Sequence, residues 1–372
     1  MLVRHAVAAD RAQLLSLWCA CFDDGDAFQN WFFDNRFLPE YCMLAEEDGV
    51  VVGGMHGIPQ TIMLRGKLLP CVVIGGVATL PAQQGKGVMR AVFTAYMRSM
   101  RAKGIALIAH RPQRLTTFFR FGHFPSSNIR FLTLDGGAPR PAYGDYTVLT
   151  APGEMAVYAY PCYAAFAGRY SGMLARTYPD MAFKCADYAS DGMRCLLVRG
   201  ADGAAAGYCI YENGADALYG EETVAQGAAA YRALYAAMAN EAGARTLTLK
   251  LPEDAVFPAE SAVIETKAWN VLGAANVAPL MAAAFGGLAG VAVEATDDTV
   301  PENAGVYDGR GERTDDAPAV RLPAGRLVQW LVGYRSLVEI LESGEAEALD
   351  ASAAARLNDL LPVTPCCIID EY

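Results

Sequence analysis

Val77-Ala78-Thr79-Leu80-Pro81-Ala82-Gln83-Gln84-Gly85-Lys86-Gly87-Val88-Met89-Arg90 is the stretch whose reading decides the fold. The apolar run from Leu69 to Thr79 predicts a strand. Leu80 to Gly87 is a loop. Val88 to Lys103 predicts a helix, because Met89, Val92, Phe93, Tyr96, Met97 and Met100 share one face. Arg98, Arg101 and Lys103 suit its C-terminal dipole, and Gly104 is a natural stop. Ile105 to Ala109 is the next strand. A strand that ends in a glycine loop and opens a helix makes an anion site. The first helical N–H groups are unpaired and point outward, and the dipole adds to their field. Glycines allow the backbone to approach a pyrophosphate closely. A P-loop would need Gly-Lys-Ser/Thr, and Val88 follows Gly87 instead. A dinucleotide fingerprint would need a βαβ setting and an acidic residue about 20 positions on. Neither fits.

Upstream, Asp10 is a candidate cap for a helix through Leu14, Leu15, Leu17 and Trp18. Tyr41 to Ala45 predicts a strand, Glu47-Asp48-Gly49 a hairpin turn and Val50 to Val52 the returning strand. Ile58 to Leu64 is a further strand, joined to the next at Arg65-Gly66-Lys67. Pro139 and Pro141 suggest a linker that closes a first unit at 1–140. A second unit, 141–262, echoes the first. Arg194 to Val198, Asp202-Gly203 and Gly207 repeat Tyr41 to Leu44, Asp48-Gly49 and Gly53, with one offset for both the Asp-Gly pair and the later glycine. A helix at Ala228 to Ala242 and a strand at Thr246 to Leu251 follow. The segment before that helix, Glu221 to Gln226, lacks the glycine loop. A third unit, 263–372, carries an Ala-rich helix near Asn276 to Phe285. Short helices at Leu327 to Leu331 and Ser336 to Leu341 are separated by Gly333.

The chain has 372 residues, 53% hydrophobic and 19% charged, which suits two or three folded domains. Its net charge of −11 argues against nucleic acid as a partner. Ten cysteines show no CxxC pair, and the four histidines are scattered, so no metal site is expected. Val277 to Val293 is uncharged, but Pro279 and Gly286-Gly287 interrupt it. It predicts a buried helix, a turn and a strand rather than a membrane span. The N-terminus lacks a charged-then-apolar leader pattern, so a cytoplasmic protein with no membrane partner is expected.

The loop resembles motif A of the GNAT acetyltransferases: Arg or Gln, two residues, Gly, one residue, then Gly or Ala. Met89 departs from it at the last place. Across its full length the chain resembles the Eis-like (enhanced intracellular survival) acetyltransferases. The matching features are Val77-Ala78-Thr79, Gly85 to Arg90, Arg120-Phe121-Gly122-His123, Asp297-Asp298, Pro301-Glu302-Asn303, Gly305-Val306-Tyr307 and Trp330 to Gly333-Tyr334. The resemblance implies an α/β (α+β) protein with tandem GNAT domains, the second degenerate, followed by a sterol-carrier-protein-like α/β domain. It implies acetyl-CoA as co-substrate, held by Val77, Ala78, Thr79, Gln84, Gly85, Lys86, Gly87, Val88, Met89 and Arg90. The acceptor would be a small primary amine on an aminoglycoside, a polyamine or a lysine-like group. A homo-oligomer, plausibly a hexamer, is also implied.

Two catalytic roles come with the resemblance. The general acid is a tyrosine, and the matching position here is Phe118, which has no proton to give. The other group is the chain's own C-terminal carboxylate, as base or amine anchor, here on Tyr372. An amine must lose a proton to attack a thioester, and a nearby carboxylate can take it. A thiolate departs without full protonation, its pKa lying near 8.5 by analogy with cysteine. His110, His123 or water could stand in for the acid. Two readings follow: an active transferase, or a catalytically weakened acyl-CoA-binding protein. Asp23, Asp24 and Asp26 beside Phe22, Phe28, Trp31, Phe32 and Phe33 could receive a cationic amine. Gln113 and Arg114 lie where the family's loop also meets the cofactor.

Overall fold

A computed structural model describes residues 1–139, 141, 145–256 and 261–370. Its contacts form two compact units, Met1–Ser126 with Asn270–Thr364, and Ser127–Trp269 with Pro365–Asp370. This division differs from the segments 1–140, 141–262 and 263–372, and the cause is strand pairing. Val271–Ala274 pairs antiparallel with Leu107–His110 on one side and Phe124–Pro125 on the other, so late chain is built into the early sheet.

The first unit begins β1 (Leu2–His5), α1 (Arg11–Cys21), α2 (Asp26–Asn35), β2 (Cys42–Glu47), β3 (Val50–Leu64) and β4 (Lys67–Thr79). It continues with α3 (Val88–Ala102), β5 (Leu107–His110) and β6 (Phe124–Pro125). The sheet order is β1-β2-β3-β4-β5, then Val271–Ala274, then β6. All neighbours are antiparallel except β4 and β5, which are parallel. On one face α3 buries Val92, Phe93, Tyr96, Met97 and Met100 against Met43, Met55, Val72 and Ile108. On the other, α1 and α2 bury Leu14, Leu17, Trp18, Phe32 and Phe33 against Leu44 and Ile58. Each large apolar side chain so buried contributes about 1.5–3 kcal/mol.

Two local expectations change. Asp10 does not cap α1 through its side chain. Its carboxylate takes the Arg4 guanidinium at 2.7 and 2.9 Å and the Val7 N–H at 2.8 Å. The ion pair outcompetes the cap, and Arg4 holds the Asp10 carboxyl below its ordinary pKa. The strands expected at Val50 to Val52 and Ile58 to Leu64 are one continuous strand, β3. The glycines between them mark close approach rather than a break. A Cβ at Gly53 would lie 2.5 Å from Val88, and one at Gly57 would lie 1.8 Å from the Tyr96 hydroxyl.

The later part of this unit has a four-stranded sheet in the order Gly305–Asp308, Ala292–Thr296, Val320–Pro323, Glu347–Ala348. Its helix Val277–Phe285 ends at Gly286 in the left-handed region, as the interrupted apolar run predicts. The helices Ala324–Val332 and Leu337–Glu342 are separated by Gly333, and Ser336 and Glu339 form a capping box on the latter.

In the second unit the sheet order is Ala262–Ala268, Asn128–Leu134, Thr246–Pro252, Ala217–Ala225, Ala205–Asn213, Arg194–Arg199, Thr147–Leu149. The last four strands are mutually antiparallel, and Ala217–Ala225 pairs in parallel with Thr246–Pro252. The helix Ala228–Ala242 connects that parallel pair. The order of β1 to β5, with α3 as the crossover, is thus repeated.

Candidate active site

The loop after β4 has two left-handed glycines, Gly85 (φ +79°) and Gly87 (φ +84°). A Cβ on either would meet nothing within 4 Å, so backbone conformation rather than crowding selects glycine there. Gly87 is the N-cap of α3, and no side chain caps the helix. Its first N–H groups are therefore left for a ligand. A cavity of about 440 Å³ opens on them, lined by Thr79, Gln83 to Arg90 and Arg120. Lys86, Arg90 and Arg120 bring cations to it, and all three are exposed. The Gln84 side chain donates to the Thr79 carbonyl at 3.3 Å and so braces the loop. Val88 lines the cavity but is buried in the core, which leaves chiefly its backbone for a ligand.

A second cavity, about 520 Å³, begins where β4 and β5 part. Their parallel pairing runs only from Cys71–Leu107 to Val73–Ala109. Beyond it, Ile74 to Val77 and His110 to Pro112 line the cavity on both flanks. The strand bends at a bulge: Gly54 faces Ala78 while His56 faces Gly75. Gly76 makes the bend with φ +56°, and a Cβ there would lie 2.2 Å from the Trp18 ring. Trp18, Phe22 and Phe28 form an aromatic side of the cavity. Asp24 lines it as well and accepts the Trp18 indole N–H at 2.8 Å. Met89 lines both cavities and is their shared wall. Met89, the residue that departs from the motif, is thus common to the two cavities.

Phe118 is buried on the second cavity, with its ring 5.2 Å from Phe93 and 4.3 Å from His110. Phe118 itself has no hydroxyl, and Thr117 beside it is the nearest hydroxyl in sequence on the cavity lining. His110 also lines the cavity, and its Nε2 lies 3.0 Å from His123 Nδ1. One ring donates and the other accepts. Burial drives both imidazoles toward the neutral form, His123 down to about 3 and His110 well below its ordinary value, with His123 adding to the effect on His110. A pair held neutral cannot serve as an imidazolium acid near neutral pH.

Of the expected cofactor residues, Thr79 and Gln84 to Arg90 share the first cavity and Val77 lies in the second. Ala78 is buried, pairs with Gly54 and lines neither. Gln113 and Arg114 line the second cavity, but Asp23 and Asp26 do not. Tyr372 lies outside the described residues. Sequence reasoning missed Arg120 as a cavity residue, although its Arg-Phe-Gly segment was in view. It also missed Gly75-Gly76, whose signal is a glycine pair inside a strand. Among the described residues no group of three or more His, Cys, Asp or Glu could hold a metal ion. Among them no helix is long and apolar enough to cross a membrane.

Residues 2–124 match the family described as Acetyltransferase (GNAT) domain. The chain carries a GNAT acetyltransferase domain. No curated protein matches the sequence. Among solved structures, a probable N-acyltransferase from Enterococcus faecalis V583, described as a conserved protein of unknown function, has a TM-score of 0.84 at 18% identity, over 100% of this chain and 99% of that one. Eis1 from Mycobacterium abscessus has a TM-score of 0.79 at 19% identity, over 100% of both chains. A GCN5-related N-acetyltransferase from Anabaena variabilis ATCC 29413 has a TM-score of 0.80 at 16% identity, over 100% of both. At such identities the likeness is one of fold. The Eis-like GNAT resemblance drawn from the sequence agrees with the domain match and the full-length likeness to Eis1. The GNAT domain makes the protein an N-acetyltransferase, and GNAT enzymes take their acyl group from acetyl-CoA.

Proposed function

We propose that the protein transfers acetyl from acetyl-CoA to a small primary amine, on an aminoglycoside, a polyamine or a lysine-like acceptor. One observation carries this reading: the uncapped start of α3 opens on a cavity that shares Met89 with a cleft made by the parting of β4 and β5. The pyrophosphate would take the N–H groups of Gly85 to Arg90, with Lys86, Arg90 and Arg120 around it. The pantetheine would follow β4 past Thr79, Ala78 and Val77. The thioester would then enter the second cavity, where Asp24 and its aromatic neighbours receive the ammonium group. The amine nitrogen attacks the thioester carbon, the C–S bond breaks and CoA leaves as thiolate. The amine's proton passes to a carboxylate, which in this reading is the chain's own C-terminus on Tyr372. With Phe118 and a His110 that burial holds toward the neutral form on the cavity, the thiolate would leave without an acid. General acid help is worth roughly 10²–10⁴-fold, so the enzyme would be slow rather than dead.

The fuller architecture belongs to the same proposal. It comprises a first GNAT domain, a degenerate second GNAT domain, a sterol-carrier-like third segment, a homo-oligomer such as a hexamer and a cytoplasmic setting. Phe118 favours one alternative, a weakened acyl-CoA-binding protein. The two separate when the protein is incubated with acetyl-CoA and a panel of spermidine, kanamycin and a lysine peptide. CoA release with an acetylated product supports the transferase. Acetyl-CoA binding without release for every amine supports the alternative.

A further inference from the structure

The cavity where β4 and β5 part is divided by charge. On the β4 flank, Gly76 packs so closely on Trp18 that a Cβ would lie 2.2 Å from the ring, and the Trp18 indole N–H donates to Asp24 at 2.8 Å. Asp24 is the one carboxylate on the lining among the described residues, and it belongs to that flank. On the β5 flank the chain runs on from His110 through Arg111, Pro112, Gln113 and Arg114, all of them on the lining. Pro112 has no N–H with which to continue a ladder, so the chain leaves the sheet there. A short 3₁₀ helix, Leu115–Phe121, follows. The Thr117 N–H donates to the Arg114 carbonyl at 3.1 Å, which ties the backbone of Arg114 to the first turn and brings Thr117 to the same cavity.

Two guanidiniums thus line the cavity against one carboxylate, in a chain whose net charge is −11. Both arginines are exposed, and among the described residues Arg114 makes no ion pair. Acetyl-CoA does not call for them. Its phosphates lie at one end, whereas its pantetheine arm and thioester are uncharged. The cations suited to those phosphates, Lys86, Arg90 and Arg120, line the first cavity and not the second. Neither Arg111 nor Arg114 lines the first. Positive charge at the thioester end must then answer negative charge on the acceptor. A guanidinium offers a planar fork of donors that matches an oxyanion, and it repels an ammonium group. A polyamine or an aminoglycoside would bring further ammonium groups to two permanent cations, and like charges brought together disfavour a partner. An amine that also carries an acidic group would set its nitrogen by Asp24 and its oxyanion by Arg111 and Arg114.

We infer that the acceptor amine carries an oxyanion of its own, a carboxylate or a phosphate ester, and that Arg111 and Arg114 select it. The inference rests on the reading that the protein acetylates a small amine, and it narrows that reading away from polycations.

The test uses the full chain, acetyl-CoA and acceptors of equal length that differ only at the far end. One set is ε-aminocaproate, hexylamine and hexamethylenediamine. A shorter set is γ-aminobutyrate, butylamine and putrescine, and phosphoethanolamine against ethylamine forms the phosphate arm. Within a set, kcat/KM should fall from the acid to the neutral amine to the diamine, with about tenfold between the ends, because each exposed guanidinium exchanges a weak attraction for a weak repulsion. The gap should shrink as salt is raised. Arg114→Gln should cut the ratio of acid to neutral amine by about threefold, and Arg114→Glu should reverse the order. Taking the ratio cancels any general loss of activity in either variant. A stronger preference in the phosphate arm than in the carboxylate sets would identify a phosphate ester, and the converse a carboxylate. Equal kcat/KM across every set, or a preference for the diamines, would overturn the inference and leave the transferase reading intact. A rise in KM for acetyl-CoA in Arg114→Gln as large as the fall in that ratio would assign the arginine to the cofactor and also overturn it. Acetylation of no amine at all, spermidine and kanamycin included, would remove the transferase reading and the inference with it.

Discussion

The two seven-stranded sheets share a strand order but end their parallel pairs differently. In the first, β4 leaves β5 after Val73 and Ala109, and a loop with Gly85 and Gly87 lets α3 begin uncapped beside open space. In the second, Ala217–Ala225 leaves Thr246–Pro252 after Gly220 and Leu249. Only Gln226 and Gly227 then precede the helix Ala228–Ala242. Gln226 is tied down twice, its N–H to Ala206 O and its side chain to Cys162 O. Arg169 donates to the Ala225 carbonyl, and Arg176 with Glu222 and Asp370 fills the unit's interior beyond Gly220. One topology thus yields a site where the strand ends stay vacant and a core where side chains and the chain's own tail occupy them. What distinguishes them is the loop, Leu80 to Gly87 in the first against Gln226 and Gly227 alone in the second, and the charges placed behind it.

The largest effect should come from undoing the filled version. Arg176→Ala leaves Glu222 and Asp370 buried without their counter-charge, and breaking a buried pair in this way costs about 3–5 kcal/mol. Urea denaturation should show that loss, whereas acetyl-CoA affinity measured by calorimetry should barely change. A large drop in affinity would mean that the second unit takes part in cofactor binding.

Next in size is Gly87→Val. A side chain at φ +84° costs about 1–2 kcal/mol in the left-handed region and draws the loop backbone away from its ligand. Losing one or two hydrogen bonds to a charged phosphate weakens binding by about 10–100-fold. Gly227→Val is the matching change in the second unit. Gly227 also has positive φ and open space around it, yet the acetyl-CoA Kd should be unaltered. Equal losses from both would erase the distinction between vacant and filled ends.

These contrasts also explain what sequence could disclose. The loop, α3 and β5 were legible because they are local: two glycines, one amphipathic face, one apolar run. Expected Val88 to Lys103, α3 spans Val88–Ala102. The bulge at Gly76 was not legible, since its reason is the Trp18 ring, which only the fold brings there. The pairing of His110 with His123 and the clamp of Arg176 on Glu222 and Asp370 depend on partners 13, 46 and 194 positions away. Periodicity carries no information about such pairs. The same holds for Val271–Ala274, whose place between β5 and β6 joins chain that turn signals had separated.

The two units should also respond to acid at different pH. His110 and His123 are held neutral in the fold, so the unfolded chain binds protons that the folded one refuses. Their contribution is complete above about 6.5 and is lost as pH falls below it, by up to about 1.4 kcal/mol per pH unit for each histidine. Glu222 has a depressed carboxyl pKa, so its contribution is lost only as pH falls below the ordinary glutamate value of 4.5. Replacing both histidines with leucine should flatten stability between pH 6.5 and 4.5 in urea titrations. Glu222→Gln should leave that window alone and alter the lower one. A histidine-free variant with the same slope would show that these rings titrate normally.

The smallest effect expected is at Arg120, the cavity residue that sequence reasoning passed over. It is exposed on the first cavity, with its guanidinium 4.9 Å from the Phe121 ring centroid and Nη2 3.6 Å from Met89 Sδ. An exposed cation contributes about 0.2–1 kcal/mol to an ionic contact, because water and salt screen it. Arg120→Gln should therefore weaken acetyl-CoA by about two- to fivefold at low salt, with the difference shrinking as ionic strength rises. The backbone loop behaves differently, since its N–H groups are fixed dipoles set close to the phosphate and depend less on salt. If Arg120→Gln instead cost as much as Gly87→Val at every salt concentration, phosphate capture would rest on side-chain charge. The left-handed glycines would then be only a turn, and the contrast between the vacant and the filled strand ends would lie in their cations rather than in the path of the backbone.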